Sequence, residues 1–257
     1  MILIDTHTHL YLEEFQSDIQ ETIQRSKEND VKYMIIPNID SSSIFAMMNL
    51  CDTYKNCCFP CMGVHPSSIK EDFNKEINMA KEWLHKEKFV AIGEIGIDLY
   101  WDKTYIQKQI EAFKKQLDLA LEFNLPVIIH SRNSLHEIIP ILNEKKYKPI
   151  KAVFHCYPGS LEQAIDLTQK GYKLGIGGVI TYKNAGVANV VKELPLQNMV
   201  LETDSPYLSP VPFRGKRNES AYIKNIAQFI AEIKNVSLEE VADITTQSAI
   251  ELFKLEI

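Results

Sequence analysis

Residues 105–131 read YIQKQIEAFKKQLDLALEFNLPVIIHS, and two hydrophobic periods meet within them. Over 105–123, Ile106, Ile110, Phe113, Leu117 and Leu121 recur at intervals of three and four and leave Lys and Gln opposite. That spacing predicts an amphipathic helix. The run PVIIHS (126–131) then has the length and branched apolar content of a buried strand, and it closes on His130 and Ser131. A helix that feeds a strand ending in histidine is the unit from which the rest of the chain is read.

Outward from it the alternation repeats. ILIDTH (2–7), YMIIPN (33–38), CFPCMGV (58–64), VAIGEIGI (90–97), AVFHCY (152–157), YKLGIGG (172–178) and MVLETD (199–204) are the other expected strands. Helices are expected over 17–30, with Ser17 and Asp18 as caps, and from Leu161 to Lys170, after Gly159–Ser160 and before Gly171. Two more are expected over 218–233 and 238–253. Eight strands interleaved with helices imply an α/β fold with a parallel sheet, and the count favours a single-domain (β/α)8 TIM barrel spanning 1–257. An open doubly wound sheet is the competing arrangement, but no Gly-rich phosphate turn follows the first strand.

Composition excludes several function classes. Apolar residues make up 45% and charged residues 24%, the balance of a soluble globular chain, and the net charge of −6 disfavours broad adhesion to nucleic acid or acidic membranes. The opening MILIDTHTHL has no basic leader and no stretch reaches a span of about 20 apolar residues, so a cytoplasmic protein with no membrane partner is expected. Cys51, Cys57, Cys58, Cys61 and Cys156 lack zinc-finger spacing. They are expected as buried thiols, with Cys57 and Cys58 on opposite faces of a strand.

The polar residues fall in a pattern. His7 and His9 end the first expected strand, Glu94 lies on the fourth, His130 ends the fifth, His155 the sixth and Asp204 the eighth. In a barrel these ends converge on one rim, where active sites are assembled. Residues two apart on an extended segment face one side, so His7 and His9 can reach one cation. Imidazoles with carboxylates suit Zn²⁺, Mn²⁺, Fe²⁺ or Co²⁺, and Mg²⁺ more weakly. A lone carboxylate such as Glu94 in a barrel interior is costly unless paired or metal-bound.

These residues sit in recognisable segments: DTHTH (5–9), GVHP (63–66), GEIGID (93–98), HSR (130–132), HCYPGS (155–160), LETDSPYL (201–208) and PVPFRGKRNE (210–219). Together they resemble the TatD family of metal-dependent deoxyribonucleases, within the amidohydrolase-like barrel superfamily. The resemblance implies two adjacent divalent cations (Mg²⁺, Mn²⁺ or Zn²⁺), one held by His7, His9 and Asp204, the other by His130 and His155, with Glu94 bridging. It implies DNA as substrate, hydrolysed by a 3′→5′ exonuclease-like reaction, with no obligate protein partner. Phe213 stands where the family often has histidine and Ser220 where it often has proline, both on a loop expected to border substrate.

For such a site the expected mechanism has Asp204 orient the attacking water and accept its proton, with two cations about 3.5–4 Å apart clamping the phosphodiester oxygens and Glu94 between them. His65 and Arg132, at or just past strand ends, are candidates for binding the phosphate, although a structural hydrogen bond or a surface salt bridge would also explain them. Arg214, Lys216 and Arg217 form a basic loop that suits a polyanion, or else a charge cluster in which Arg217 pairs with Glu219. Tyr157 and Tyr207 are candidate base-stacking residues near the rim. Two rivals stand beside the nuclease reading: an amidohydrolase or esterase acting on a small molecule or aminoacyl ester, and a non-catalytic binder of nucleic acid or metal.

Overall fold

The computed structural model describes residues 1–101 and 103–257. Strands β1 (Leu3–Asp5), β2 (Val31–Pro37), β3 (Cys58–Met62), β4 (Ala91–Asp98), β5 (Val127–Arg132), β6 (Ala152–Phe154), β7 (Lys173–Ile176) and β8 (Met199–Leu201) form one sheet in chain order. Every neighbouring pair is parallel. Helices α1 (Ile19–Glu28), α2 (Ile44–Thr53), α3 (Phe73–Lys86), α4 (Ile106–Phe123), α5 (Leu135–Leu142), α6 (Leu161–Gln169) and α7 (Val187–Glu193) fall between successive strands. After β8 come α8 (Ile223–Lys234) and α9 (Leu238–Phe253).

The sheet closes on itself just past β1 and β8. The Thr6 amide donates to Leu201 O at 2.9 Å, the Asp204 amide to His7 O at 2.9 Å, and Thr8 bridges Ser205 in parallel. The molecule is therefore the expected single-domain (β/α)8 barrel. Ile4, Ile35, Cys61, Ala91, Ile128, Val153 and Val200, one per strand from seven strands, pack with Ala249, Leu252, Phe253 and Leu255 at the end of α9. These line the barrel interior and close its base, while the alternate strand residues pack outward on the helices. Among the described residues no helix is long and apolar enough to cross a membrane.

Several local expectations need correction. The strands are shorter than the apolar runs, so His7, His9, His155 and Asp204 lie just beyond strand ends, where the backbone pairs with neighbouring loops instead of a continuous ladder. Asp18 precedes α1 but makes no cap bond, because its carboxylate is taken by Arg25 and Arg217. Ser160 does cap α6, in a reciprocal box with Gln163. Cys57 precedes β3 and packs in the same outer layer as Cys58, not across the strand from it. The expected helix over 218–233 begins only as a 3-10 turn at Ser220–Tyr222 before α8.

Candidate metal centre

Glu94 is brought to the centre of the rim by an irregularity in β4. The register with β5 shifts between Ile92 and Ile95, a bulge that re-aims the carboxylate, and the Glu94 amide donates to Asn38 O instead. The side chain is only 4% exposed, and its two oxygens face different groups. Oε2 lies 3.2 Å from His7 Nε2 and 3.8 Å from His9 Nε2. Oε1 lies 2.9 Å from His130 Nδ1, 3.5 Å from His155 Nε2 and 3.6 Å from His65 Nε2.

Asp204 completes the first group, with Oδ1 at 3.8 Å from His7 Nε2 and 3.7 Å from His9 Nε2. The two histidine Nε2 atoms are 3.2 Å apart. Ligands about 2.0–2.1 Å from a tetrahedral cation stand about 3.3 Å from one another, so His7 and His9 with either carboxylate come near the spacing that one small ion requires. The donor type, two imidazoles with two carboxylates, suits the borderline divalent metals. All the expected ligand residues meet in one place.

Anchors on the far ring nitrogens determine which atoms face the centre. Tyr11 OH donates to Pro37 O at 2.9 Å and so accepts from His9 Nδ1 at 3.0 Å, leaving the His9 Nε2 lone pair toward Glu94 and Asp204. Glu202 Oε1 stands 3.0 Å from His155 Nδ1, and Asp98 Oδ2 stands 3.0 Å from His130 Nε2. His65 differs. Its Nδ1 accepts the Ser67 amide at 3.1 Å, so in the neutral ring the proton is on Nε2, which makes His65 a donor toward the centre. Asp98, Glu202 and Tyr11 were not singled out in the sequence, although Asp98 and Glu202 lie inside the quoted segments GEIGID and LETDSPYL.

Electrostatics follow the burial. Burial, with His155 nearby, holds His7 well below the usual histidine range, and burial brings His9 down to about 4, so both are neutral. Burial works against a charged His155, but Glu202, Glu94 and Asp204 outweigh it and raise the group to about 10. Burial also pushes Asp204 up to about 7, with Glu94 and Glu202 adding repulsion. Three acidic groups crowded this closely call for positive charge.

Other expected contacts fare unevenly. Arg132 lies over the Tyr100 ring, 3.8 Å from its centroid, rather than in a salt bridge with the following helix among the described residues. Arg217 is held by Asp18 through two bonds of 2.7 Å and lies 3.7 Å from Glu219, so it pins its loop instead of facing a ligand. Arg214 packs over the Tyr182 ring at 4.2 Å. Tyr157 is buried and donates to Ser160 O, which removes it as a stacking surface, whereas Tyr207 stays 50% exposed. Phe213 stacks on Tyr222 at 4.0 Å, and Ser220 is wholly buried, so it does not border substrate.

Comparison with known proteins agrees with this geometry. The family model described as TatD related DNase matches residues 4–254. The metal-dependent hydrolase YabD of Bacillus subtilis is 39% identical over 255 residues, covering 99% of this chain and 100% of the relative. The metal-dependent hydrolase YcfH of Escherichia coli is 31% identical over 260 residues, covering 100% and 97%. The crystal structure of YjjV, a TatD homologue from Escherichia coli, superposes with a TM-score of 0.92 at 29% identity over 98% of both chains.

Proposed function

The chain belongs to the TatD-related DNase family and is a metal-dependent hydrolase, and on that premise we propose that it hydrolyses phosphodiester bonds of DNA as a 3′→5′ exonuclease-like enzyme. One observation carries the reading: the two oxygens of buried Glu94 face different histidines, Oε2 toward His7 and His9 and Oε1 toward His130 and His155, the arrangement a carboxylate shared by two cations would need. In this proposal His7, His9 and Asp204 would hold one ion and His130 and His155 the other, with Glu94 available to both. Among the described residues the close donor sets are His7–His9–Glu94, His7–His155–Asp204 and His65–Glu94–His130, so His155 also sits beside the first group, and their chemistry fits divalent cations with Mg²⁺, Mn²⁺ and Zn²⁺ as the candidates. Bound there, such ions neutralise charge on phosphoryl oxygens and acidify water.

The protein's own groups supply the rest. Asp204 is 16% exposed while Glu94 is 4% exposed, so Asp204 is the carboxylate an attacking water meets. It orients that water and takes its proton. Glu94 stays ionised between the histidines and keeps the two halves of the site in register. His65, with its proton on Nε2, donates to a phosphoryl oxygen, and Arg132, two residues past His130, adds positive charge. Residues 1–257 act as one hydrolase domain in this reading, in the cytoplasm as the composition leads us to expect.

The test is metal-dependent release of nucleotides from single-stranded DNA by the purified protein, with Asp204→Ala as control. Release that requires added metal and is lost in Asp204→Ala supports the proposal. Turnover of a small amide or ester without nucleotide release under any of the three metals would replace it.

A further inference from the structure

Tyr100 and Trp101 follow β4 at the rim and leave 53% and 73% of their surface exposed. Two adjacent large aromatic rings left uncovered beside a functional centre point to an occupant. Their turn is well held. Asp98 Oδ1 accepts the Tyr100 amide at 2.8 Å and the Trp101 amide at 3.3 Å, and the two rings meet edge to face at 4.8 Å. Asp98 Oδ2 meanwhile faces His130 Nε2 at 3.0 Å. One carboxylate thus holds both the aromatic turn and a residue of the metal centre.

Arg132 stands two residues beyond His130 on β5, and its guanidinium lies 3.8 Å from the Tyr100 centroid and 5.2 Å from that of Trp101. A cleft of about 90 Å³ adjoins Trp101, lined in part by Lys70, Tyr105 and Asp98. Lys70 lies 5.4 Å from the Tyr105 centroid, and Lys108, at 5.5 Å, is paired with Glu71. Cations and flat rings therefore alternate along this sector, although the chain as a whole carries a charge of −6. Such interleaving is what a flexible polynucleotide uses: rings for its bases and cations for its backbone.

Resting on the phosphodiesterase reading above, we infer that Tyr100, Trp101 and Arg132 form a subsite that receives a nucleobase next to the phosphate being cleaved. Trp101 supplies the stacking face, and Arg132 is kept over the rings by Tyr100 with its charge toward the strand. Stacking engages the π-face common to all bases, so the subsite tolerates any base but requires one that is unpaired.

Two measurements test it. In steady-state hydrolysis of a single-stranded oligodeoxynucleotide, Trp101→Ala raises KM roughly five- to hundredfold, the worth of one base–aromatic stack, with little change in kcat. Trp101→Phe restores most of the loss, and the KM for an abasic strand of equal length does not respond. In a Trp83→Phe background, Trp101 emission is quenched by the base-bearing strand and not by the abasic one. An unchanged KM for the base-bearing strand in Trp101→Ala, an equal rise for the abasic strand, or no quenching overturns the subsite. Quenching without nucleotide release from the unaltered protein keeps the subsite and removes the phosphodiesterase reading. Release with no response at Trp101 does the reverse.

Discussion

His155 Nδ1 stands 3.0 Å from Glu202 Oε1, and the same oxygen accepts the Cys156 amide at 2.5 Å. A carboxylate placed behind a histidine holds a proton on the near nitrogen, so a cation at the centre would displace only the proton on the far one, here Nε2, beside Glu94. Asp98 stands behind His130 and Tyr11 behind His9 in the same way. His7 has no carboxylate behind it among the described residues and its Nδ1 is buried without a partner, whereas His155 Nδ1 has Glu202 at ion-pair distance though out of line for a hydrogen bond. Its ring is stacked on His155 at 3.7 Å, so whatever orients His155 also steadies His7.

Glu202→Gln should therefore weaken metal retention more than it weakens the fold. The shape and one acceptor remain, but the negative charge that polarises His155 is gone. Loss of such an outer partner typically costs about 10–100-fold in metal affinity. Elemental analysis after dialysis against graded chelator would read it, beside circular dichroism to confirm folding. Metal content equal to the unaltered protein at every chelator concentration would refute the anchoring role.

Tyr11→Phe removes a hydroxyl that both accepts from His9 and donates to Pro37 O. The phenyl ring still fills the space, so the change isolates the relay. Pro37 O loses a buried donor, at a cost of about 1–3 kcal/mol, and His9 becomes free to move its proton to Nε2. We expect a lower urea midpoint together with weaker metal binding at the same pH. A midpoint shift with metal affinity untouched would mean that Tyr11 serves the fold alone.

Gly175 sits under Glu202, where an added Cβ would lie 2.1 Å from Glu202 Oε2. Gly186 is the natural control, because nothing lies within 4 Å of its position and its φ of −60° suits alanine. Gly175→Ala should cost about 1–3 kcal/mol through overpacking and displace Glu202 from His155. Gly186→Ala should be neutral or stabilise by up to about 1 kcal/mol, through a less flexible unfolded chain. Thermal midpoints and metal content of both variants check this, and equal losses in the two would contradict the steric argument.

The barrel was legible because period and length agree along the whole chain: 3.6-residue spacing in 105–123, then a short apolar run closing on His130. The meeting of His7, His9, Glu94, His130, His155 and Asp204 was legible for the same reason, since strand order alone carries distant residues to one rim. Strand ends were not, because a ladder that passes its hydrogen bonds to loops leaves the apolar pattern unchanged. Asp98 and Glu202 escaped notice because an outer carboxylate has no spacing of its own relative to the histidine it serves. Tyr157 looked like a rim aromatic, yet its hydroxyl finds Ser160 O and takes the ring inside. Arg217 looked like a polyanion contact, but Asp18, 199 residues away, claims it.

That Asp18–Arg217 pair makes the last prediction, a pH-dependent one. Arg217, then Arg25, hydrogen-bond the Asp18 carboxylate and hold its pKa well below the usual range, against a desolvation that works the other way. The folded value is depressed, so the stabilisation is fully present above the unfolded value of about 3.9 and is lost only as pH falls through the folded one. With the Asp18 side chain 29% exposed, water discounts the pair, and Asp18→Asn should cost about 1–2 kcal/mol near neutral pH. Urea unfolding of both proteins should give a difference that stays flat from about pH 7 to about pH 5 and shrinks only below about pH 4. A difference already gone at about pH 5 would mean that the carboxylate is not held in its charged form by these arginines.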